Sequence, residues 1–248
     1  MCTGIGAARR SRITGATSAG GCSTHSPGPS GTALGASRRR CCCCIVPGTP
    51  TAQRARELTC RRTSLLAWRH PIQAWAEHAW PQPALADPVT EADEMFQNAG
   101  EKGRRHADPA DPPRARANKR RGHGTFDNDR PPVVGAVGRD SGPVRRRVVG
   151  YTDRATLEGF VTGATVAGAT VNTDEWKGYG GLSKVGRTHA TVCHSPANRE
   201  WARDDDGDGV REVHTNTMEG TWTGLRNFLR PFRGVSKWFL SQYVAMLK

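Results

Sequence analysis

Residues 169–176 read ATVNTDEW. The run 169–173 is a short β-forming segment that closes on Asp174, so an acid stands at the end of a strand. Working outward, THATVC at 188–193 is a second short strand. Upstream, DRATLEGFVTGA at 153–164 carries Leu157, Phe160 and Val161 at helical spacing. Before it, VVGAVGR at 133–139 and VRRRVVGYT at 144–152 flank the turn Asp140-Ser141-Gly142-Pro143, which predicts a hairpin. A helix over 217–230 follows the last strand. The order strand, strand, helix, strand, short helix, strand, helix predicts an α/β fold built on a mixed sheet.

Three acids stand in settings that could hold a divalent metal: Asp93 in TEADE, Asp174 in VNTDEW and Glu219 in HTNTMEG. Each also has an ordinary reading. Thr90 and Asp93 form an imperfect capping box, Asp174 could sit in a turn after Thr173, and Asn216 with Glu219 is close to a capping box. Context favours chemistry for the second and third, because α/β folds place their sites at strand ends and Glu219 opens a long helix. On that helix Met218, Trp222, Leu225 and Leu229 form an apolar stripe, while Glu219, Arg226 and Arg230 share another face. A carboxylate followed by arginines suits a metal-bound phosphate; a solvated charged face is the plain alternative. Pro231 should stop this helix, leaving SKWFLSQYVAML as a final amphipathic segment.

The 248-residue chain carries 36 Lys and Arg against 23 Asp and Glu, a net charge of +13, which favours a polyanionic partner, nucleic acid above all. There is no apolar run long enough to span a membrane and no apolar leader segment, so a cytoplasmic protein is expected. Residues 1–44 lack Asp, Glu, Lys and every Phe, Trp and Tyr, and cannot build a core. They read as a disordered arm or as a GC-rich gene translated out of frame; disorder is expected either way. In 51–70, Ala55, Leu58, Leu65 and Trp68 recur at the offsets of a helix-turn-helix, with Arg54, Arg56, Arg61, Arg62 and Arg69 around the seam and Thr59 where the turn usually has Gly. The second helix, around Ser64 to Arg69, would read DNA, and Pro71 should kink or end it. A basic packing hairpin is the alternative. Residues 101–132, Pro-rich and Arg-rich, read as a mobile basic loop.

Other metal signals are weak. Cys41 and Cys44 have C-x-x-C spacing, but structural zinc needs a second pair, and only Cys60 and Cys193 remain beyond them. Asp204, Asp206 and Asp208 with Gly209 match the first half of an EF-hand loop; position twelve is Thr215 rather than a bidentate Glu, so a solvated acidic loop is the default. His189, Cys193 and His194 read as sheet and loop residues.

VNTDEWKGYGGL, RTHATVCHS and HTNTMEGTWTGLRNFLRPFRGVSKWFLSQYVAML together resemble the DDE transposases of bacterial insertion sequences, specifically the ISXO2-like transposase domain with its RNase H-like core. The carrying combination is Asp-Glu-aromatic-x-x-Tyr followed by His-Thr-Asn-Thr-x-Glu. The resemblance covers about 85–248 and implies an RNase H-like mixed sheet with flanking helices, preceded by the helix-turn-helix in 45–80 and the disordered 1–44. It implies Asp93, Asp174 and Glu219 as the catalytic acids holding two Mg2+ or Mn2+ ions, and Arg226 where many relatives have Lys. Departures are the N-terminal zinc ribbon, lacking here unless Cys41 and Cys44 are its remnant, and Asn98-Ala99-Gly100 where many relatives carry Gly-Gly after the first acid.

The function so implied is metal-dependent cleavage and strand transfer of insertion-sequence ends into target DNA, by a homo-oligomer assembled on DNA and associated with the nucleoid. Arg61, Arg62, Ser64 and Arg69 would contact the element ends, and Arg226 and Arg230 the backbone phosphates. A transposase-derived protein that binds DNA without catalysis is the rival, separated by metal dependence. A calcium module on 204–209 would instead fold with calcium and ignore DNA.

Overall fold

A computed structural model describes residues 49–79, 82–103, 108–114, 117 and 120–247. The disorder expected of 1–44 and the Cys41–Cys44 run lie outside the described residues. Two helices come first, α1 (Thr51–Glu57) and α2 (Arg62–Ala79). Thr59 takes φ +51 in the turn between them, the left-handed conformation that glycine adopts more freely. Ala55 and Leu65 are buried in the seam as expected, while Leu58 and Trp68 are only half-buried.

Two expectations for this pair do not hold. Pro71 does not end α2, which runs eight residues further to Ala79, and Gln73 and Ala76 are buried in that continuation. Arg69, expected at the DNA-facing surface, is 2 % exposed. Its Nη1 donates to Thr51 Oγ1 at 2.8 Å and its guanidinium lies 5.1 Å from the Phe232 ring centroid. The side chain joins α1 and α2 to the C-terminal part of the molecule, where His70 also stacks on Phe239. The two helices belong to one compact unit spanning Cys43–Lys248.

The sheet has the order β3-β2-β1-β4-β5. Its strands are β1 (Val89–Phe96), β2 (Pro132–Gly138), β3 (Val144–Val148), β4 (Thr170–Asp174) and β5 (Thr188–Val192). β2 runs antiparallel to both neighbours, and β1, β4 and β5 are mutually parallel. This is the mixed sheet expected, with helices on both faces. The central strand β1 carries no strand signal of its own, since TEADE presents acids on both faces instead of an apolar alternation.

The hairpin β2–β3 forms at the expected turn. Asp87 fixes it from outside, accepting from Asp140 N (2.9 Å), Ser141 N (2.7 Å) and Ser141 Oγ (2.6 Å). Helix α3 (Arg154–Ala164) is capped by Asp153, which accepts from Thr156 N. It packs on one face of the sheet with Ala92, Val134, Ala136, Val171 and Tyr179. Helices α4 (Asn216–Leu229) and α5 (Lys237–Ala245) cover the other face, with Met95, Val133, Val137, Met218, Trp222 and Leu225 in that core.

The run 101–132, expected to be mobile, is pinned at its described ends. Lys237 Nζ, almost fully buried, lies 3.2 Å from Glu101 Oε1 and 3.0 Å from Asp129 Oδ1 and donates to Phe126 O. Arg114 bridges the same two acids at 2.8 and 2.5 Å. Two cations against two buried carboxylates neutralise charge that neither segment could bury alone. The connection is thereby tied to the start of α5.

Candidate active site

Parallel pairing of Glu91 with Asn172 puts Asp93 and Asp174, each two residues further on, at the same height on adjacent strands. Side chains two apart on a strand share a face, and neighbouring strands lie about 4.8 Å apart. Both acids therefore belong to the face that α4 covers. Glu219 is in the first turn of α4, exposed, one residue after Met218, which is buried against this face.

Asp93 pairs across the sheet with Gly135. A Cβ at Gly135 would overlap Met218 and Trp222, so glycine is what lets α4 lie this close. The approach brings Trp222 Nε1 to 2.8 Å from Asp93 Oδ2, to which it donates. Asp174 Oδ1 accepts from Trp176 N at 3.0 Å.

The electrostatics show the acids acting on one another. Burial is the main cause that lifts the Asp93 pKa to about 6; repulsion from Asp174 and Glu219 adds to it, and the Trp222 hydrogen bond opposes it. Asp174 is raised by burial, against the Trp176 N–H and the nearby His194 and His123. Glu94 is lifted to about 8 by burial and by repulsion from Asp174, although Tyr179 donates to its Oε2 at 2.8 Å. Partly buried carboxylates that repel one another are the condition a divalent cation relieves, and their hard oxygen donors suit Mg2+ or Mn2+. The donor chemistry thus fits such ions, while Asp93, Asp174 and Glu219 do not bring three ligand atoms within 4.8 Å of one another.

The other expected residues divide. Arg226 and Arg230 are exposed, as Glu219 is. Arg61 and Arg62 are exposed, Ser64 is half-buried and Arg69 is enclosed. Among the described residues, only Asp204, Asp206 and Asp208 bring three metal-capable ligand atoms within 4.8 Å of one another. Asp204 accepts there from Gly207 N and Gly209 N, which is how an exposed acidic turn satisfies itself. His189 Nε2 sits 2.8 Å from Thr173 Oγ1, and Cys193 donates to Ser195 Oγ.

Several neighbours were not legible as site residues. His123 stacks on Trp176 with ring centroids 4.3 Å apart and the planes 25° from parallel, bringing the long β1–β2 connection over Asp174. Glu91 is fully buried beneath the start of α4. The signal available in sequence was the spacing of Glu91, Asp93 and Glu94 within one short segment. The motif residues also acquire reasons: the Trp176 ring stacks on His123, and Tyr179 holds Glu94.

The model of the ISXO2-like transposase domain matches residues 88–248. A curated relative from Halobacterium salinarum, described as an uncharacterized protein in transposable element ISH50, is 31 % identical over 165 residues, covering 66 % of this chain and 52 % of the relative. The chain thus spans about half the length of that relative. Among solved structures, a chain of the simian T-cell lymphotropic virus intasome in complex with PP2A regulatory subunit B56 gamma overlays with a TM-score of 0.37 at 13 % identity, covering 79 % of this chain and 63 % of that one. The Mos1 transposase paired-end complex with left transposon end gives 0.28 at 8 % identity, covering 91 % and 82 %. No helix among the described residues is long and apolar enough to cross a membrane.

Proposed function

The chain belongs to the ISXO2-like transposase domain family, and on that premise we propose that it cuts and joins the DNA ends of an insertion sequence at Asp93, Asp174 and Glu219. The observation that supports the reading is the parallel register of β1 and β4, by which Asp93 and Asp174 share the sheet face under the helix that bears Glu219.

Asp93, Asp174 and Glu219 would hold two Mg2+ or Mn2+ ions. Bound there, the ions supply activation of the attacking oxygen and stabilisation of the leaving oxygen in an in-line displacement. The chain's own residues prepare this. Trp222 occupies one oxygen of Asp93 and fixes its rotamer, and Trp176 N–H does the same for Asp174. The exposed Arg226, in the last turn of α4, and Arg230, just beyond its end, bind backbone phosphates without reading bases. Arg61, Arg62 and Ser64, at the start of α2, contact the element ends, with DNA as partner and a homo-oligomer as the assembly that pairs two ends. Arg69 supports this helix from within.

The test is strand cleavage of supercoiled plasmid DNA with Mg2+ or Mn2+ by the wild type and by the Asp174→Asn and Glu219→Gln variants. Cleavage should require the metal and fall at least a hundredfold in either variant, with DNA affinity retained. A wild type that binds DNA yet never nicks it would assign the chain to non-catalytic DNA binding instead.

A further inference from the structure

We propose that Glu91 is a positioning residue: its buried carboxylate caps the N-terminus of α4 from the sheet and so sets Glu219 against Asp93. The inference rests on the reading of those two acids as catalytic.

The first turn of a helix leaves backbone N–H groups without partners, and a neighbouring side chain normally serves them. At α4 the residue in the capping position, Thr215, makes no such bond. Glu91 takes over from β1, with Oε2 accepting from Met218 N at 2.9 Å and Oε1 from Thr217 Oγ1 at 2.8 Å. A carboxylate is the preferred group at this pole of the helix dipole.

A carboxyl group without solvent exposure needs polar partners on its remaining lone pairs as well. Arg139 Nε lies 3.4 Å from Glu91 Oε1, and His214 Nδ1 lies 3.1 Å from it at an ion-pair distance without hydrogen-bond alignment. Arg139 also donates to Glu212 O and to His214 Nε2. The β2–β3 turn, the segment before α4 and strand β1 are thereby joined at one carboxylate.

The consequence for the site is geometric. Glu219 follows Met218 directly, and Asp93 follows Glu91 by two residues on the same strand face. The path from one acid to the other runs through the Glu91–Met218 bond and through Trp222 to Asp93. The His-Thr-Asn-Thr-x-Glu run gains a physical reading, since His214, Thr217 and Met218 all serve Glu91 ahead of Glu219. Displacements of about 1 Å in a catalytic array can cost a hundredfold in rate.

The full chain should be compared as wild type, Glu91→Ala, Glu91→Gln and Thr217→Val. The readouts are Mn2+ affinity by electron paramagnetic resonance, plasmid nicking, DNA affinity, and hydrogen exchange of the Met218 and Glu219 amides. We expect Glu91→Ala to lower kcat at least tenfold, weaken Mn2+ binding and expose both amides to exchange, with DNA affinity unchanged. Glu91→Gln, which keeps an acceptor, should recover part of each loss. If Glu91→Ala does not fold, Glu91→Gln and Thr217→Val carry the test, and both should fall between wild type and Asp174→Asn in Mn2+ affinity. Wild-type exchange and Mn2+ affinity in Glu91→Gln and Thr217→Val would overturn the proposal. An inactive wild type that binds Mn2+ no better than Asp174→Asn would instead sink the catalytic reading, and unprotected wild-type amides would then sink the cap independently.

Discussion

Trp222 donates its indole N–H to Asp93 across the bare backbone of Gly135, so one hydrogen bond ties the centre of the sheet to the helix that bears Glu219. The contact needs a large donor on α4 and no side chain on β2. Trp222→Phe should therefore keep most of the packing and lose the bond, costing about 1–3 kcal/mol. It should also move the ionisation of Asp93 upward, because this bond favours the charged form. Nuclear magnetic resonance titration of the Asp93 carboxyl would read the shift; an unmoved midpoint counts against the assigned role.

Stability should fall as pH rises across the range where Asp93 and Glu94 lose their protons. Unfolded carboxyls of these types titrate near 3.8 and 4.5, whereas in the folded chain the two groups are lifted to about 6 and about 8. Between those limits the folded state holds more protons than the unfolded one, so their favourable contribution is complete below about pH 4 and is lost through pH 8. Asp87 acts oppositely: the Ser141 hydroxyl and N–H hold its pKa down, so its contribution disappears on acidification. Urea midpoints measured without divalent cations should decline from pH 5 to 8. The lower part of the slope should flatten in Asp93→Asn and the upper part in Glu94→Gln. A flat wild-type profile would contradict both assignments.

Lys237 neutralises Glu101 and Asp129 inside the protein. Lys237→Met should cost roughly 3–5 kcal/mol, because two buried carboxylates lose the enclosed ammonium that both of them face. Denaturant unfolding checks this, and a loss below about 1 kcal/mol would mean that solvent reaches the cluster.

Arginines of similar standing in the sequence should separate by burial. Arg69→Ala should lower the melting temperature by removing the link between Thr51 and Phe232. Arg226→Ala and Arg230→Ala should leave it unchanged, weaken DNA binding, and reduce the salt slope by about 1 each. Equal loss of DNA affinity in a stable Arg69→Ala variant would reverse this assignment.

Much of the architecture follows from local chemistry alone. The β2–β3 hairpin, α3, β4, β5 and α4 all form within a few residues of where turn chemistry, alternation and helical spacing put them, and β2, α3, β4 and α4 bury apolar residues that the sequence displays directly. Asp174 at a strand end and Glu219 in a first helical turn are legible for the same reason. β1 is not, since the central strand of this sheet carries Glu91, Asp93 and Glu94, and polar groups are tolerated there only because Met218, Trp222 and Tyr179 come from distant segments to bond them. Arg69 and Lys237 likewise look like surface cations until the partners that enclose them are in place. Periodicity reports which residues avoid water; which buried charges are satisfied, and by whom, is decided only when strands and helices far apart in the chain meet.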